Sequence, residues 1–247
     1  MVVIKSKSEL DLMRISGSVV KEVLEKLEEF IKPGLTTLDI DKFAENIISS
    51  RDALPSFKGY RGYPASICAS INEVVVHGIP SDRKIVEGDI ISVDVGAYKN
   101  GFHGDAARTY AVGKISKEAE DLVRVTKESF FKGIEKAVDG GRLTDISHAV
   151  QIHCESHGYG VVRDFFGHGI GREMHEEPAI PNYGKPNRGL RLRAGMVLAV
   201  EPMVTAGHYS VRTLKDGWTA VTEDGSLAAH YENTVAITPN GPEILTM

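Results

Sequence analysis

The sequence predicts an α+β fold in which helices pack on one side of a mainly antiparallel sheet, and this plan occurs twice along the chain. Two observations support the prediction. A unit of two amphipathic helices followed by β-rich runs occupies residues 8–113 and again residues 116–241. No stretch rich in serine, glycine and proline separates the halves, so we expect residues 1–247 to form a single domain.

The helices of both halves are predicted from apolar periodicity and from residues that commonly cap helices. After Ser8, apolar residues recur every three or four positions until Pro33-Gly34, a pattern typical of an amphipathic helix. Thr37 is the expected cap of a second, shorter helix. In the second half, Ser116 and Thr144 are the expected caps of the corresponding helices. We therefore expect one pair of helices in each half.

The β-rich runs of the two halves match at their acidic residues. Residues 87–94 (EGDIISVD) and 194–201 (AGMVLAVE) each reach a carboxylate six residues after a glycine, at Asp94 and Glu201. The runs that begin at Asp105 and Glu232 correspond as well. Short apolar runs resemble one another by chance, but here helices, turns and acids agree together. We interpret the halves as two copies of one unit, each of which supplies two carboxylates.

Asp94 and Asp105 flank Lys99-Asn100-Gly101, which is a strong hairpin signal. Side chains on a strand alternate between faces, so the register decides which groups meet. A turn centred on Lys99-Asn100 places Asp94 opposite Asp105. A turn centred on Asn100-Gly101 places Asp94 opposite Ala107, with Asp105 as its diagonal neighbour. Either register puts both carboxylates on one face, unless a β-bulge intervenes.

The acids at Asp94 and Glu201 follow runs that are apolar on both faces, so we expect these carboxylates to be buried. A single acid more often forms a salt bridge or a helix cap than a metal site. Several buried carboxylates repel one another, however, and no lysine or arginine alternates with these acids. Bound divalent cations are the simplest way to offset the repulsion between these carboxylates, and four carboxylates can hold two ions by bridging.

One histidine lies in a setting that favours metal binding. His168 occurs in the run FFGHGIG (165–171), where glycines allow the backbone to approach a ligand closely. An oxygen-rich set with one imidazole suits Mn, Fe(II), Co or Zn, and the sequence does not choose among them. Helical histidines and histidines without an assignment receive no role: His148, His153 and His157 in the first group, and His103, His208 and His230 in the second.

The composition argues against several other functions. The formal charge of −5 comes from interspersed signs without a basic block, so nucleic-acid recognition is not expected. Two distant cysteines, Cys68 and Cys154, suit a reducing compartment better than a disulfide framework. No apolar run approaches the roughly 20 residues of a membrane span. We therefore expect a cytoplasmic protein without membrane attachment.

Seven motifs give the chain a specific resemblance that covers nearly its whole length. In order they are SINEVVVHGIP (70–80), VDVG (93–96), GDAART (104–109), GHGIG (167–171), MHEEP (174–178), VEP (200–202) and YENT (231–234). The sequence resembles the type I methionine aminopeptidases. That resemblance implies the pita-bread fold, a pseudo-twofold duplicated α+β domain with a curved, mainly antiparallel sheet.

The resemblance also implies roles for the acidic residues and for His168. Asp105 and Glu232 would bridge two divalent ions, Asp94 would hold the second ion, and His168 and Glu201 would hold the first. The implied reaction removes the N-terminal methionine from nascent proteins and peptides through a hydroxide that bridges the metals. A small residue should be preferred after the methionine. Nascent chains imply encounters at the ribosome, although no docking motif is present, and we expect a monomer.

Catalytic and substrate-binding residues follow from the same resemblance. His77 would contact the peptide near the scissile bond, His175 would hydrogen-bond the developing oxyanion, and Glu201 would also shuttle a proton. The alternative for both histidines is a polar residue that lines a loop. A narrow methionine pocket is implied at Tyr60, Tyr63, Cys68, Met174 and Trp218. Soft apolar groups would suit a thioether there, and simple core packing is the alternative.

Three residues depart from the pattern that the resemblance implies. Met174 stands where an aromatic residue is expected, and Phe57 stands where some relatives have cysteine. Asn233 follows Glu232 where histidine is common. The first two would reshape the pocket, and none removes a ligand.

Two rival functions remain open. One is an Xaa-Pro aminopeptidase or prolidase on the same fold, which usually carries a large additional N-terminal domain. The other is a metal-free binding module, which would have lost ligands that this chain retains.

Overall fold

The computed structural model describes residues 2–247, in which two helix pairs alternate with short antiparallel sheets. The helices are α1 (Lys7–Phe30), α2 (Thr37–Ser50), α3 (Lys117–Ile134) and α4 (Leu143–Ser156). The strands are β1 (Leu54–Pro55), β2 (Ile67–Ile71), β3 (Val74–Val76), β4 (Ile90–Lys99), β5 (Phe102–Ala111), β6 (Gly160–Val161), β7 (Gly167–Gly169), β8 (Glu176–Ile180), β9 (Val197–Val200), β10 (Met203–Thr205), β11 (Val211–Thr213), β12 (Ala220–Thr222), β13 (Ala228–His230), β14 (Asn233–Thr238) and β15 (Gly241–Ile244). None of the described helices has the length and hydropathy needed to cross a membrane.

Local capping hydrogen bonds decide where the helices of the first half begin, and both predicted caps are wrong. Helix α1 is capped by Ser6 rather than Ser8. The Ser6 hydroxyl accepts from the Glu9 N–H, and the Glu9 carboxylate accepts from the Ser6 N–H. Thr36 caps α2 through the same reciprocal pattern, one residue before the predicted Thr37. The capping box therefore outweighs the start of the apolar periodicity.

In the second half one predicted cap is confirmed and one is wrong. Ser116 caps α3 through its hydroxyl, as predicted. Arg142 occupies the cap position of α4, where its N–H donates to the Asp145 carboxylate at 3.1 Å. Thr144 lies within the first turn of the helix, and its hydroxyl accepts from the Arg188 N–H and donates to the Arg188 carbonyl instead of capping α4.

Strands pair antiparallel throughout residues 2–247, as the sequence predicts. One sheet has the order β1-β4-β2 with β5 also paired to β4, and another has the order β15-β14-β9-β7-β8. Two smaller sheets follow the orders β13-β10-β6 and β11-β12-β3. Helices α1 and α2 share a core with β2 and β4, whereas α3 and α4 share one with β9 and β14. The exact limits of the two pseudo-repeats stay a prediction.

The long hairpin of β4 and β5 adopts the second of the two registers considered above. Asp94 lies opposite Ala107, and Asp105 lies opposite Gly96. The turn is made by Asn100-Gly101, whose φ values of 53° and 84° are typical of the favoured hairpin turn. No register shift interrupts this pair within the described strands, so both carboxylates lie on one face.

The two halves join through the backbone beside their acidic residues. Ala107 and Glu232 exchange N–H to carbonyl hydrogen bonds of 3.3 Å and 3.0 Å. The Thr234 hydroxyl accepts from the Asp105 N–H at 3.0 Å and donates to the Asp105 carbonyl at 2.9 Å. Corresponding acids from the two halves therefore lie side by side.

Helix α1 crosses β5 at very short range. A Cβ added to Gly104 would lie 2.9 Å from the Gly17 nitrogen, which real Cβ atoms essentially never approach. The contact thus requires glycine on the strand, and it holds β5 and its carboxylate against the helix.

Candidate metal centre and adjoining cavity

The five predicted ligands converge from different strands onto one cavity. Asp94 lies in β4, Asp105 in β5 and His168 in β7. Glu201 directly follows β9, and Glu232 directly precedes β14. All five side chains line the same cavity of about 160 Å³.

Distances between the possible ligand atoms suit bound cations. His168 Nε2 lies 3.8 Å from Asp105 Oδ2 and 3.8 Å from Glu201 Oε1. Ligand atoms of Asp105, His168 and Glu232 lie within 4.8 Å of one another, and so do those of Asp94, His230 and Glu232. Glu232 belongs to both groups, as a bridging carboxylate must.

Several polar atoms at this site are buried without a hydrogen-bond partner. They include Asp94 Oδ1, Asp105 Oδ1 and Glu232 Oε1. Asp105 and Glu232 are only 3% and 1% exposed. Across residues 2–247, only histidines form ion pairs with the acids at this site. Orphaned carboxylate oxygens without basic partners fit divalent metal, which supplies both charge and coordination.

Burial raises the pKa of each acid at the site. The pKa of Asp94 rises from 3.8 to about 6, and that of Glu201 rises from 4.5 to about 7. The pKa values of Asp105 and Glu232 also rise, first because of burial and then because nearby carboxylates repel. Cations between the acids would offset both effects and keep the carboxylates ionised.

The imidazole of His168 is oriented by the backbone. Its Nδ1–H donates to the Gly169 carbonyl at 2.8 Å. That hydrogen bond sets the tautomer and leaves the Nε2 lone pair facing the carboxylates, as a metal-binding imidazole requires.

The same cavity brings together every residue of the predicted methionine pocket. Its lining includes Tyr60, Tyr63, Cys68, Met174 and Trp218, together with His77 and His175. Tyr63 is held by hydrogen bonds from its hydroxyl to two backbone carbonyls, and its ring meets Trp218 edge to face at 5.1 Å. A small, mostly apolar chamber thus opens directly onto the acids.

His175 lies between the predicted ligands and the cavity wall. Its ring is centred 4.1 Å from the His168 ring and stacks on Tyr60 at 5.2 Å. Its Nδ1 lies 3.0 Å from the Tyr60 hydroxyl. Burial, and then His168, lower the pKa of His175 to about 3, so the ring is neutral near pH 7.

His77 also lines the cavity, in a strained backbone conformation. Its φ of 60° is unusual for a residue other than glycine, and such strain often marks functional positions. The ring contacts Phe165 and Trp218 edge to face, at 5.3 Å and 6.3 Å. Burial lowers the pKa of His77 to about 4.

The three departures from the expected pattern occupy different places. Met174 and Phe57 both line the cavity and are buried. The Asn233 side chain lies elsewhere: it accepts from Arg108 at 2.7 Å and from the Thr246 hydroxyl at 3.0 Å. Only Met174 and Phe57 therefore bear on the shape of the pocket.

Sequence reasoning missed two residues at this site. Arg61 lines the cavity and lies in a short 3-10 turn with a φ of 48°. The sequence did not predict this turn. His230 is 2% exposed, and its Nε2 lies 3.5 Å from Glu201 Oε2 and 3.8 Å from Glu232 Oε2. The sequence signal for His230 was its spacing of two residues from Glu232, because side chains two residues apart share one face of an extended chain.

Comparisons with known proteins identify the family to which the chain belongs. Residues 11–239 match Metallopeptidase family M24, and the chain belongs to that family. Membership in a metallopeptidase family implies divalent metal in the chemistry.

Particular relatives carry the comparison further. The chain is 63% identical over 248 residues to the methionine aminopeptidase of Clostridium acetobutylicum, covering 100% of this chain and 99% of that protein. It is 52% identical over 246 residues to methionine aminopeptidase 1 of Bacillus subtilis, with coverage of 100% and 99%. The crystal structure of methionine aminopeptidase from Rickettsia prowazekii is 42% identical, with a TM-score of 0.99 over 100% of both chains. The predicted family and the pita-bread fold are confirmed.

Proposed function

We propose that this chain removes the N-terminal methionine from nascent proteins and peptides, using two divalent metal ions. The observation that carries the proposal is the shared cavity, in which buried carboxylates adjoin aromatic and sulfur-containing side chains. The relatives described above are methionine aminopeptidases, which supports the same substrate for this chain.

The ligand set follows from the positions of the acids. Asp105 and Glu232 would contribute to holding both ions, His168 and Glu201 would help to hold the first, and Asp94 would help to hold the second. The dual membership of Glu232 in both groups of ligand atoms supports its bridging role. When bound, divalent ions supply hydroxide near neutral pH by lowering the pKa of water. Co, Mn, Fe and Zn all suit this donor set.

The protein's own residues position the substrate and move protons. Glu201 accepts a proton at a carboxylate oxygen and passes it to the leaving nitrogen. His175 Nδ1 and the Tyr60 hydroxyl form a hydrogen bond of 3.0 Å, to which we assign the hydroxyl as donor. In that tautomer His175 carries its proton on Nε2, which we propose donates to the developing oxyanion. His77 contacts the peptide near the scissile bond.

The specificity of the reaction comes from the size and softness of the pocket. A cavity of about 160 Å³ accommodates one side chain rather than an extended ligand. Tyr63, Cys68, Met174 and Trp218 present apolar, polarisable surface to a thioether. Because a cavity of about 160 Å³ leaves little room beyond one side chain, we expect a small residue after the methionine.

The proposed function also implies a cellular location, partners and an oligomeric state. Access to nascent chains places the enzyme in the cytoplasm, with transient contact at the ribosome. We propose that it acts as a monomer, since every ligand of the site comes from one chain. No nucleic-acid partner is required.

The test combines metal content with peptide cleavage. Unaltered protein should bind two Mn²⁺ or Co²⁺ per chain and cleave Met-Ala-Ser, with activity lost on chelation. Asp105→Asn should lose both metal and cleavage. Unchanged metal content and turnover in Asp105→Asn would contradict the site.

A matched control and a rival substrate sharpen this test. Asp41→Asn changes another buried carboxyl, which accepts from the Ser66 and Ile67 N–H groups outside the cavity, and it should leave cleavage intact. An Ala-Pro peptide tests the Xaa-Pro alternative. Faster cleavage of Ala-Pro than of Met-Ala-Ser would replace the proposed substrate.

A further inference from the structure

His230 is the buried histidine at the site to which the proposed reaction gives no role. It ends β13 and is 2% exposed, yet its Nε2 has no hydrogen-bond partner. Leaving a buried donor or acceptor without a partner is destabilising. In an ordinary core histidine both ring nitrogens have hydrogen-bond partners. The unpaired Nε2 of His230 therefore indicates a partner other than a hydrogen-bonding group of the protein.

The atoms that surround His230 Nε2 are those of the proposed metal ligands. Glu201 Oε2 lies at 3.5 Å and Glu232 Oε2 at 3.8 Å, and neither contact is a hydrogen bond. Ligand atoms of Asp94, His230 and Glu232 lie within 4.8 Å of one another. The orphaned atoms at the site thus belong to three carboxylates assigned to the metals and to this one imidazole.

The backbone explains why the His230 ring faces the acids. Its N–H donates to the Thr109 hydroxyl at 3.0 Å, and that hydroxyl donates back to the His230 carbonyl at 2.9 Å. The next residue, Tyr231, instead packs on Phe130 and beneath Arg108. Alternation along the extended chain therefore places His230 and Glu232 on the same side.

We propose that His230 Nε2 is a ligand of the metal ion held by Asp94 and Glu232. This inference rests on the two-metal site proposed above and adds one ligand to its second position. His168 and His230 then supply one imidazole to each ion. Nitrogen at both positions favours Co, Zn, Fe or Mn over Mg at either position.

Proton NMR of the protein loaded with two equivalents of Co²⁺ tests this assignment directly. Each imidazole bound through Nε2 retains an exchangeable Nδ1–H, which gives one strongly hyperfine-shifted resonance that disappears in D₂O. Unaltered protein should show two such resonances, and His168→Gln and His230→Gln should each lose a different one. Glutamine keeps a polar side chain of similar reach but removes the imidazole.

Calorimetry with Mn²⁺ gives a second readout that does not depend on turnover. Loss of a supporting hydrogen bond near a metal lowers affinity about 10–100-fold. Loss of a direct ligand should weaken one of the two Mn²⁺ sites by about 100-fold or more. His103→Gln is the control, because His103 Nδ1 pairs with Ser56 and the ring lies outside the proposed set.

The outcomes separate this inference from the function on which it rests. A single exchangeable shifted resonance in unaltered protein that binds two Co²⁺ and cleaves Met-Ala-Ser overturns the role of His230 and leaves the function standing. Protein that binds no second ion and cleaves no Met-peptide overturns the function itself. Because the unaltered spectrum decides the question, misfolding of a variant does not obscure the result.

Discussion

Replacing Asp94 by asparagine should stabilise the metal-free protein. Burial raises the pKa of Asp94 from 3.8 to about 6. Since a tenfold change in proton affinity corresponds to about 1.4 kcal/mol, ionising Asp94 in the folded, chelated protein costs about 3 kcal/mol. An asparagine side chain at this position would occupy a similar volume without that cost. At pH 8 in excess chelator, Asp94→Asn should therefore raise the free energy of unfolding by up to about 3 kcal/mol.

The pH dependence of this effect has a definite sign. Below pH 3.8, Asp94 is protonated in both the folded and the unfolded chain and contributes nothing. As the pH rises from about 4 to about 6, the unfolded chain loses its proton first, so the folded state of the unaltered protein loses stability. Above about pH 6 the loss is complete. The gain in Asp94→Asn should thus be absent near pH 4 and full at pH 8.

Urea unfolding in chelator measures the stability gained by Asp94→Asn, and urea unfolding in Mn²⁺ measures the stabilisation by metal. Mn²⁺ at one hundred times the dissociation constant of a site should stabilise unaltered protein by about 2.7 kcal/mol for each site that it occupies. The variant lacks one of the proposed ligands, so metal should stabilise it less. Asp94→Asn that is no more stable than unaltered protein at pH 8 in chelator would refute the claim that this carboxylate is buried without a compensating partner.

Three further predictions concern turnover, specificity and packing. His175→Ala should lower kcat by about 10²–10³-fold with little change in KM, because it removes the proposed donor to the developing oxyanion. Steady-state kinetics on Met-Ala-Ser would contradict this if KM alone rose. Met174→Ala should enlarge the pocket and reduce the kcat/KM ratio of Met-Ala-Ser over Leu-Ala-Ser about 10-fold, and an unchanged ratio would exclude Met174 from specificity. Gly104→Ala forces a Cβ to 2.9 Å from the Gly17 nitrogen and should destabilise the fold by about 1–3 kcal/mol, which thermal unfolding would measure. An unchanged unfolding temperature would mean that α1 shifts freely to accept the added methyl group.

Much of the fold and site could be predicted because the relevant signals are local or periodic. The turn at Asn100-Gly101 and the alternation of β side chains place Asp94 and Asp105 on one face in either register. The matching runs that end at Asp94 and Glu201 indicate duplication without reference to any contact. Where several local rules compete, prediction failed by a residue or two: Glu9 completes a capping box with Ser6, and this displaces the cap from Ser8.

The sequence by itself thus determined the plan of two helix pairs with antiparallel strands, the family, and the identity of the acids that line one cavity. Only the tertiary structure decided which hairpin register is used, that Asn233 turns towards Arg108, and that His230 faces Glu201 and Glu232. The reason is physical. Periodicity tells which face a side chain occupies, but the distance between atoms on separate strands depends on how two sheets are joined, and no local pattern contains that information.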